Sequence, residues 1–160
     1  MISSQIDDIL RSNKISSKYY RGCFPADKIP QIFSSFPSCM VVNTDNEGEP
    51  GEHWTAVFVC GPRSVEYFDS LAVWPPTSDG ISRFLSQFPN IRHVGDGHRF
   101  QSERSSACGE FAIYFLHMRC KGLSFEQILA RMKSAKGKPN ILVKNFTNYL
   151  AKGSPMDYYN

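Results

Sequence analysis

No stretch of this 160-residue chain approaches the roughly 18 consecutive apolar residues of a membrane span. The opening segment, MISSQIDDILRSN, is acidic and amphipathic and lacks the basic-then-apolar order of a signal peptide. The expectation is a soluble, intracellular protein. No CxxC pair occurs. The five cysteines (Cys23, Cys39, Cys60, Cys108 and Cys120) are odd in number and irregular in spacing. Both facts argue against a disulfide framework and against a zinc knuckle. Internal repeats and low-complexity segments are absent, and the length suits one domain over residues 1–160. Histidine is scarce, with four in all. His93 and His98 flank a Gly95, Gly97 stretch and read as loop residues rather than metal ligands. His117 lies in an apolar run and reads as a core histidine. No metal is expected.

The chain is well supplied with core material. Hydrophobic residues make up 41% of it, with 12 Phe and 7 Tyr. A chain of this size buries a core without covalent staples. Charge is unevenly placed. Residues 1–39 carry five Lys/Arg against three Asp/Glu, residues 40–110 five against ten, and residues 111–160 eight against two. An acidic middle followed by a basic end predicts two faces with different partners. A solvated helical surface explains the basic end equally well.

Residues 3–12 read as a short helix, with Ile6, Ile9 and Leu10 at helical spacing. RGCFPADKIP, with two Pro, reads as a loop. CMVVNT, HWTAVFVCG and SVEYFDSLA read as strands, the last two joined by a turn at Gly61 and Pro62. ISRFLSQFP fits a helix, and IRHVGDGHRFQSE a strand followed by a loop. FAIYFLHM is apolar all round and predicts a buried central helix. Ser124 and Gln127 have capping-box spacing and open a helix bearing Phe125, Ile128, Leu129 and Met132. A last helix begins at Pro139, carries Leu142, Phe146, Tyr149 and Leu150, and stops near Gly153. The fold class is α+β: a small mixed or antiparallel sheet packed on a buried helix.

The chemistry concentrates in QSERSSACGEF, residues 101–111. Cys108 falls in the first turn of the buried helix, where unpaired N–H groups and the helix dipole favour a thiolate. Ser105, Ser106, Ala107 and Gly109 are small enough to admit a substrate backbone. A thiolate also needs a proton partner. His53 opens a strand after a Gly-rich turn and can project into a cleft. Asp69 closes the next strand, in an aromatic stretch where an acid is out of place, and can orient the imidazole. The Gln101 amide can aim at an oxyanion together with the Cys108 backbone N–H. Singly, each residue has a commoner structural explanation; their order and spacing carry the signal.

That ordered set, His53-Trp54, Asp69, then Gln101 with Cys108 seven positions on in SSACG, resembles the adenovirus protease (adenain-like) family. That family is related to the SUMO and ubiquitin-like-protein proteases. VVNTDNEGEPGEHWTAVFV, GPRSVEYFDSL and RGCFPADKIP extend the resemblance over roughly residues 15–120. It implies a cysteine endopeptidase fold with His before Cys. It also implies Cys108 as nucleophile, His53 as base and acid, Asp69 as orienter, and Gln101 with Cys108 as oxyanion hole. Trp54 and Gly109 would line a channel for Gly-containing sites, Gly-Gly or Gly-x-Gly, in viral precursor polypeptides. The resemblance further implies DNA and a viral peptide as activators, a monomer, and a place in the host nucleus and the virion. Arg131, Lys133, Lys136, Lys138 and Lys144 are the DNA-contact candidates, in a segment, 119–152, with eight Lys/Arg against one Glu. Two departures stand out. The acid is Asp where the adenovirus enzymes have Glu, and no Cys lies between Ile81 and Gln101 to tether a peptide. A deconjugating protease for a ubiquitin-like protein, or an acyltransferase of the same layout, remains an alternative.

Overall fold

A computed structural model describes residues 1–94, 99–135 and 138–153. Helix α1 (Ser3–Ser12) leads into strand β1 (Tyr20–Phe24), then β2 (Ser38–Asn43), β3 (Trp54–Gly61) and β4 (Ser64–Phe68). Helix α2 (Asp79–Leu85), strand β5 (Asn90–His93) and helices α3 (Cys108–Lys121), α4 (Phe125–Ser134) and α5 (Pro139–Ala151) complete it. The five strands form one mixed sheet in sequence order. β2, β3 and β4 are antiparallel neighbours, and the outer strands β1 and β5 pair in parallel. Among the described residues no helix is long and apolar enough to cross a membrane.

The expected α+β arrangement gains a layer. Cys39, Val41, Ala56, Phe58 and Phe68 face α3 and its neighbours α1, α4 and α5. Met40, Val42, Val57, Val59, Val65 and Tyr67 face α2 on the other side. Both faces are covered, so β2 is buried at every position, and its apolar run does not alternate with polar residues.

Helix α3 runs through the centre of the larger core. Every residue from Phe111 to Met118 is buried. Phe115 stacks on Phe68 of β4, centroids 4.8 Å apart, and meets Phe125 of α4 edge-on at 5.5 Å. Its far end is pinned. Gly122 takes φ +107°, and Leu123 N–H donates to the Met118 carbonyl. Arg119 grips buried Glu66 of β4 with two bonds, 2.7 and 3.1 Å, and lies over the Phe58 ring. A helix held along its length and at its end presents its first residue, Cys108, at a fixed place.

Three expectations need correction. RGCF is strand β1, not loop; it pairs with β2 across a bulge between Tyr20 and Cys23, with Gly22 at φ +138°. The strand SVEYFDSLA ends at Phe68, and Asp69 begins a turn. Cys60 is exposed, and Cys23 lies 3.2 Å from the Tyr20 hydroxyl. His93, read as a loop residue, ends strand β5 and stacks on Trp74 at 3.7 Å, while His98 lies outside the described residues.

Candidate active site

The β3–β4 hairpin places two residues at one end of the sheet. Ala56 pairs with Phe68, so His53, just before β3, and Asp69, just after β4, emerge side by side. The His53 carbonyl is held by Thr44 N–H at 2.9 Å. Asp69 is fixed by its own turn: Oδ1 accepts from Leu71 N–H at 2.8 Å, and its carbonyl accepts from Ala72 N–H. The same Oδ1 accepts from His53 Nε2–H at 2.7 Å. That bond sets the tautomer and leaves Nδ1 for proton exchange.

Cys108 is the first residue of α3 and is 9% exposed. Burial of its thiol works against ionisation. It is outweighed by hydrogen bonding with His53, by the backbone of Trp54 and Gly109, and by the imidazole's charge, so the thiol lies below its ordinary value. For His53, burial acts against the charged ring, but the bond to Asp69 and the interaction with Cys108 lift it to about 9. Both directions favour a thiolate–imidazolium pair.

Gln101 is buried and held at both ends of its amide. Oε1 accepts from the Ser70 hydroxyl at 2.6 Å, and Nε2 donates to the Ser105 carbonyl at 2.6 Å. A carbonyl only accepts, so the amide orientation is fixed chemically. Ser105 is anchored in turn. Its hydroxyl donates to Asn140 Oδ1 of α5 at 3.1 Å and accepts from Ala107 N–H at 3.2 Å. Asn140 Nδ2 reaches Ser102 at 3.4 Å.

The structure therefore gathers His53, Asp69 and Cys108, and fixes Gln101 in the loop that enters α3. Trp54 lies on the α3 side of the sheet, and its indole N–H donates to the Met1 carbonyl at 3.1 Å. A Cβ on Gly109 would come within 3.0 Å of the Met1 side chain. Met1 thus lies between the neighbours of His53 and Cys108. A cleft of about 350 Å³ opens here, lined by Met1, Asn43, Pro50, Gly51 and Trp54 among others. A smaller hollow of about 180 Å³ is lined by His53 and Asp69 themselves, with Tyr67, Leu71, Val73 and Pro76. Arg131, Lys133, Lys138 and Lys144 are exposed on and between α4 and α5; Lys136 lies outside the described residues. Among the described residues no group of three or more His, Cys, Asp or Glu is gathered to hold a metal ion.

Sequence reasoning missed Ser70, Asn140 and Met1. Ser70 had a signal, a hydroxyl directly after the acid that follows an aromatic strand. The other two had none, because their partners are distant in sequence.

No protein-family model matches the chain. It is distantly similar to the cysteine protease of African swine fever virus, 29% identical over 101 residues. That stretch is 56% of this chain and 36% of the viral protein, so the match covers about a third of its relative's length. Among solved structures, the central domain of the uncharacterized Lpg1148 protein from Legionella pneumophila superposes with a TM-score of 0.60 at 16% identity, over 96% of both chains. The African swine fever virus protease superposes with a TM-score of 0.50 at 18% identity, over 89% of this chain and 66% of that one. At such identities the structural matches speak to the fold: a mixed α+β fold that a viral cysteine protease shares.

Proposed function

We propose that this chain is a cysteine endopeptidase of the adenovirus type that cuts polypeptides at Gly-containing sites. The observation that carries the reading is the Asp69–His53 bond beside a thiol held below its ordinary value at the start of a buried helix. Distant similarity to a viral cysteine protease supports it.

In this reading the Cys108 thiolate attacks the scissile carbonyl and forms a C–S bond. The carbonyl electrons move to oxygen, and the oxyanion meets the second Nε2–H of Gln101 and the Cys108 backbone N–H, a helix-start donor with no intrahelical partner. The C–N bond breaks as His53 gives its proton to the leaving amine. Water, deprotonated by neutral His53, then hydrolyses the thioester and regenerates the thiol pair. Trp54, Gly109 and Met1 narrow the approach on one side of Cys108. That crowding suits glycine, which has no Cβ, beside the cut. Precursor proteins of a virus are the natural substrates of this reading. The exposed Arg131, Lys133, Lys138 and Lys144 suit contact with a polyanion such as DNA, acting as activator.

The test is hydrolysis of a fluorogenic peptide ending in Leu-x-Gly-Gly, with Cys108→Ala as control. Turnover by the wild type that vanishes in the variant, with the fold unchanged by circular dichroism, supports the peptidase. Turnover that survives Cys108→Ala removes the reading. Preference for a ubiquitin-like fusion over the short peptide moves the assignment to deconjugation.

A further inference from the structure

An oxyanion hole that uses a carboxamide has a problem of orientation. The two ends of a Gln side chain are nearly the same size, but one donates and the other accepts. Turned over, the amide would aim a lone pair at a developing negative charge and oppose the reaction it is meant to assist. Something must therefore choose the orientation, in a place that water does not reach.

The Ser105 carbonyl, which only accepts, makes the choice, and Ser70 holds the amide in it. Ser70 is 1% exposed and Gln101 is 5% exposed, so neither exchanges its partner for solvent freely. The Ser70 hydroxyl gives its proton to Gln101 Oε1 at 2.6 Å. The Ser70 carbonyl takes the backbone N–H groups of both Phe100 and Gln101, at 2.9 and 3.0 Å. One residue thus fixes the backbone of Gln101 and the far end of its side chain. The Ser105 carbonyl fixes one hydrogen of Nε2. The second hydrogen is left to donate.

Ser70 also follows Asp69 directly. Through the Asp69 carboxylate, this dipeptide holds His53. Through the Ser70 hydroxyl and carbonyl, it holds Gln101. The base and the oxyanion donor are referenced to one turn at the end of β4.

We propose that Ser70 is a positioning residue that holds the backbone and the acceptor end of the Gln101 amide in place for oxyanion stabilisation, resting on the peptidase reading above. Ser70 touches neither substrate nor thiol; it acts through Gln101. Removing its hydroxyl leaves Oε1 as a buried acceptor without a donor and frees that end of the side chain to shift, while the Ser105 carbonyl still selects the orientation.

The experiment is a double-mutant cycle on peptide hydrolysis, with wild type, Ser70→Ala, Gln101→Ala and the double variant. Loss of one oxyanion donor costs about 10²–10³ in kcat. Ser70→Ala is expected to lower kcat by about ten-fold, a fraction of that loss, with KM unchanged. In the Gln101→Ala background it is expected to cost nothing further. The rate and pH dependence of Cys108 alkylation by iodoacetamide should match wild type, because His53 and Asp69 are undisturbed. If Ser70→Ala does not fold, Ser70→Cys, near in size with a weaker donor, replaces it in the same cycle, and a smaller loss of kcat is expected. An equal loss in both backgrounds, no loss in wild type, or a shifted alkylation profile overturns the role of Ser70 and leaves the peptidase standing. Absence of Cys108-dependent turnover in the wild type overturns both.

Discussion

Replacing Asp69 by Asn tests the electrostatic arrangement with the smallest change of shape. The carboxylate accepts from His53 Nε2–H at 2.7 Å, with side chains only 13% and 5% exposed. Lifting an imidazole from 6.5 to about 9 is a bias of roughly 3 kcal/mol toward the charged ring. Burial opposes that bias, and Asp69 and Cys108 supply it between them. The sign follows from the two groups together. Below the lowered value of Cys108 the thiolate is lost; above about 9 the imidazolium is lost. Wild-type kcat/KM should rise through the first and fall near the second, with macroscopic values that belong to the pair. An Asn cannot balance the imidazolium, and its amide can offer a donor to Nε2 and invert the tautomer. The expected result for Asp69→Asn is a loss of about 10²-fold or more in kcat at neutral pH. The basic limb should move down from 9, and iodoacetamide should react more slowly with Cys108 below pH 8. Alkylation and turnover equal to wild type at neutral pH would refute the account, because His53 would then owe its protonation to something other than Asp69.

Two further outcomes follow from other parts of the molecule. Glu66→Ala leaves the half-buried Arg119 without its carboxylate and should cost about 3 kcal/mol of stability. Thermal unfolding is the measure, and a Tm within 1–2 °C of wild type, a shift of under about 1 kcal/mol, would show that the pair does not hold the end of α3. On the proposal that DNA is an activator, Lys133→Glu with Lys144→Glu should weaken binding to duplex DNA and flatten its salt dependence, while peptide hydrolysis without DNA stays unchanged. Fluorescence anisotropy at two salt concentrations checks it, and unaltered binding would take these helices out of the contact.

The candidate site was more legible in the sequence than the fold around it. Cys108, His53 and Asp69 each stand at an element boundary, and such boundaries are local signals; Gln101 lies in the loop before α3. Asp69 also betrayed itself as an acid in VEYFDSL. Strand β1 was hidden for a physical reason. Its pairing with β2 is interrupted by a bulge, and Gly22 and Pro25 carry turn signals into it. The covering of the second sheet face by α2 was hidden because an apolar strand run does not say which layer lies on which side. Asn140 was beyond reach. It meets Ser105 across 35 residues, and nothing in Pro139–Ala151 sets that Asn apart from Asn145 or Asn148.

The placement of the site follows from how the sheet ends. β3 and β4 are the central antiparallel pair, buried on both faces, and the residues that leave them inherit that rigidity. Asp69 and Ser70 are the first two residues beyond β4, and their side chains diverge, one to His53 and one to Gln101. Helix α3 is registered against the same strands by Phe115 on Phe68 and by Arg119 on Glu66. Phe68 immediately precedes Asp69, so the helix that carries the thiol and the turn that aims its partners share one strand as reference. A displacement of β4 would move base, oxyanion donor and nucleophile support together rather than apart. A core substitution such as Phe68→Leu, which weakens that reference while leaving every polar contact of the site in place, should therefore lower kcat more than it raises KM.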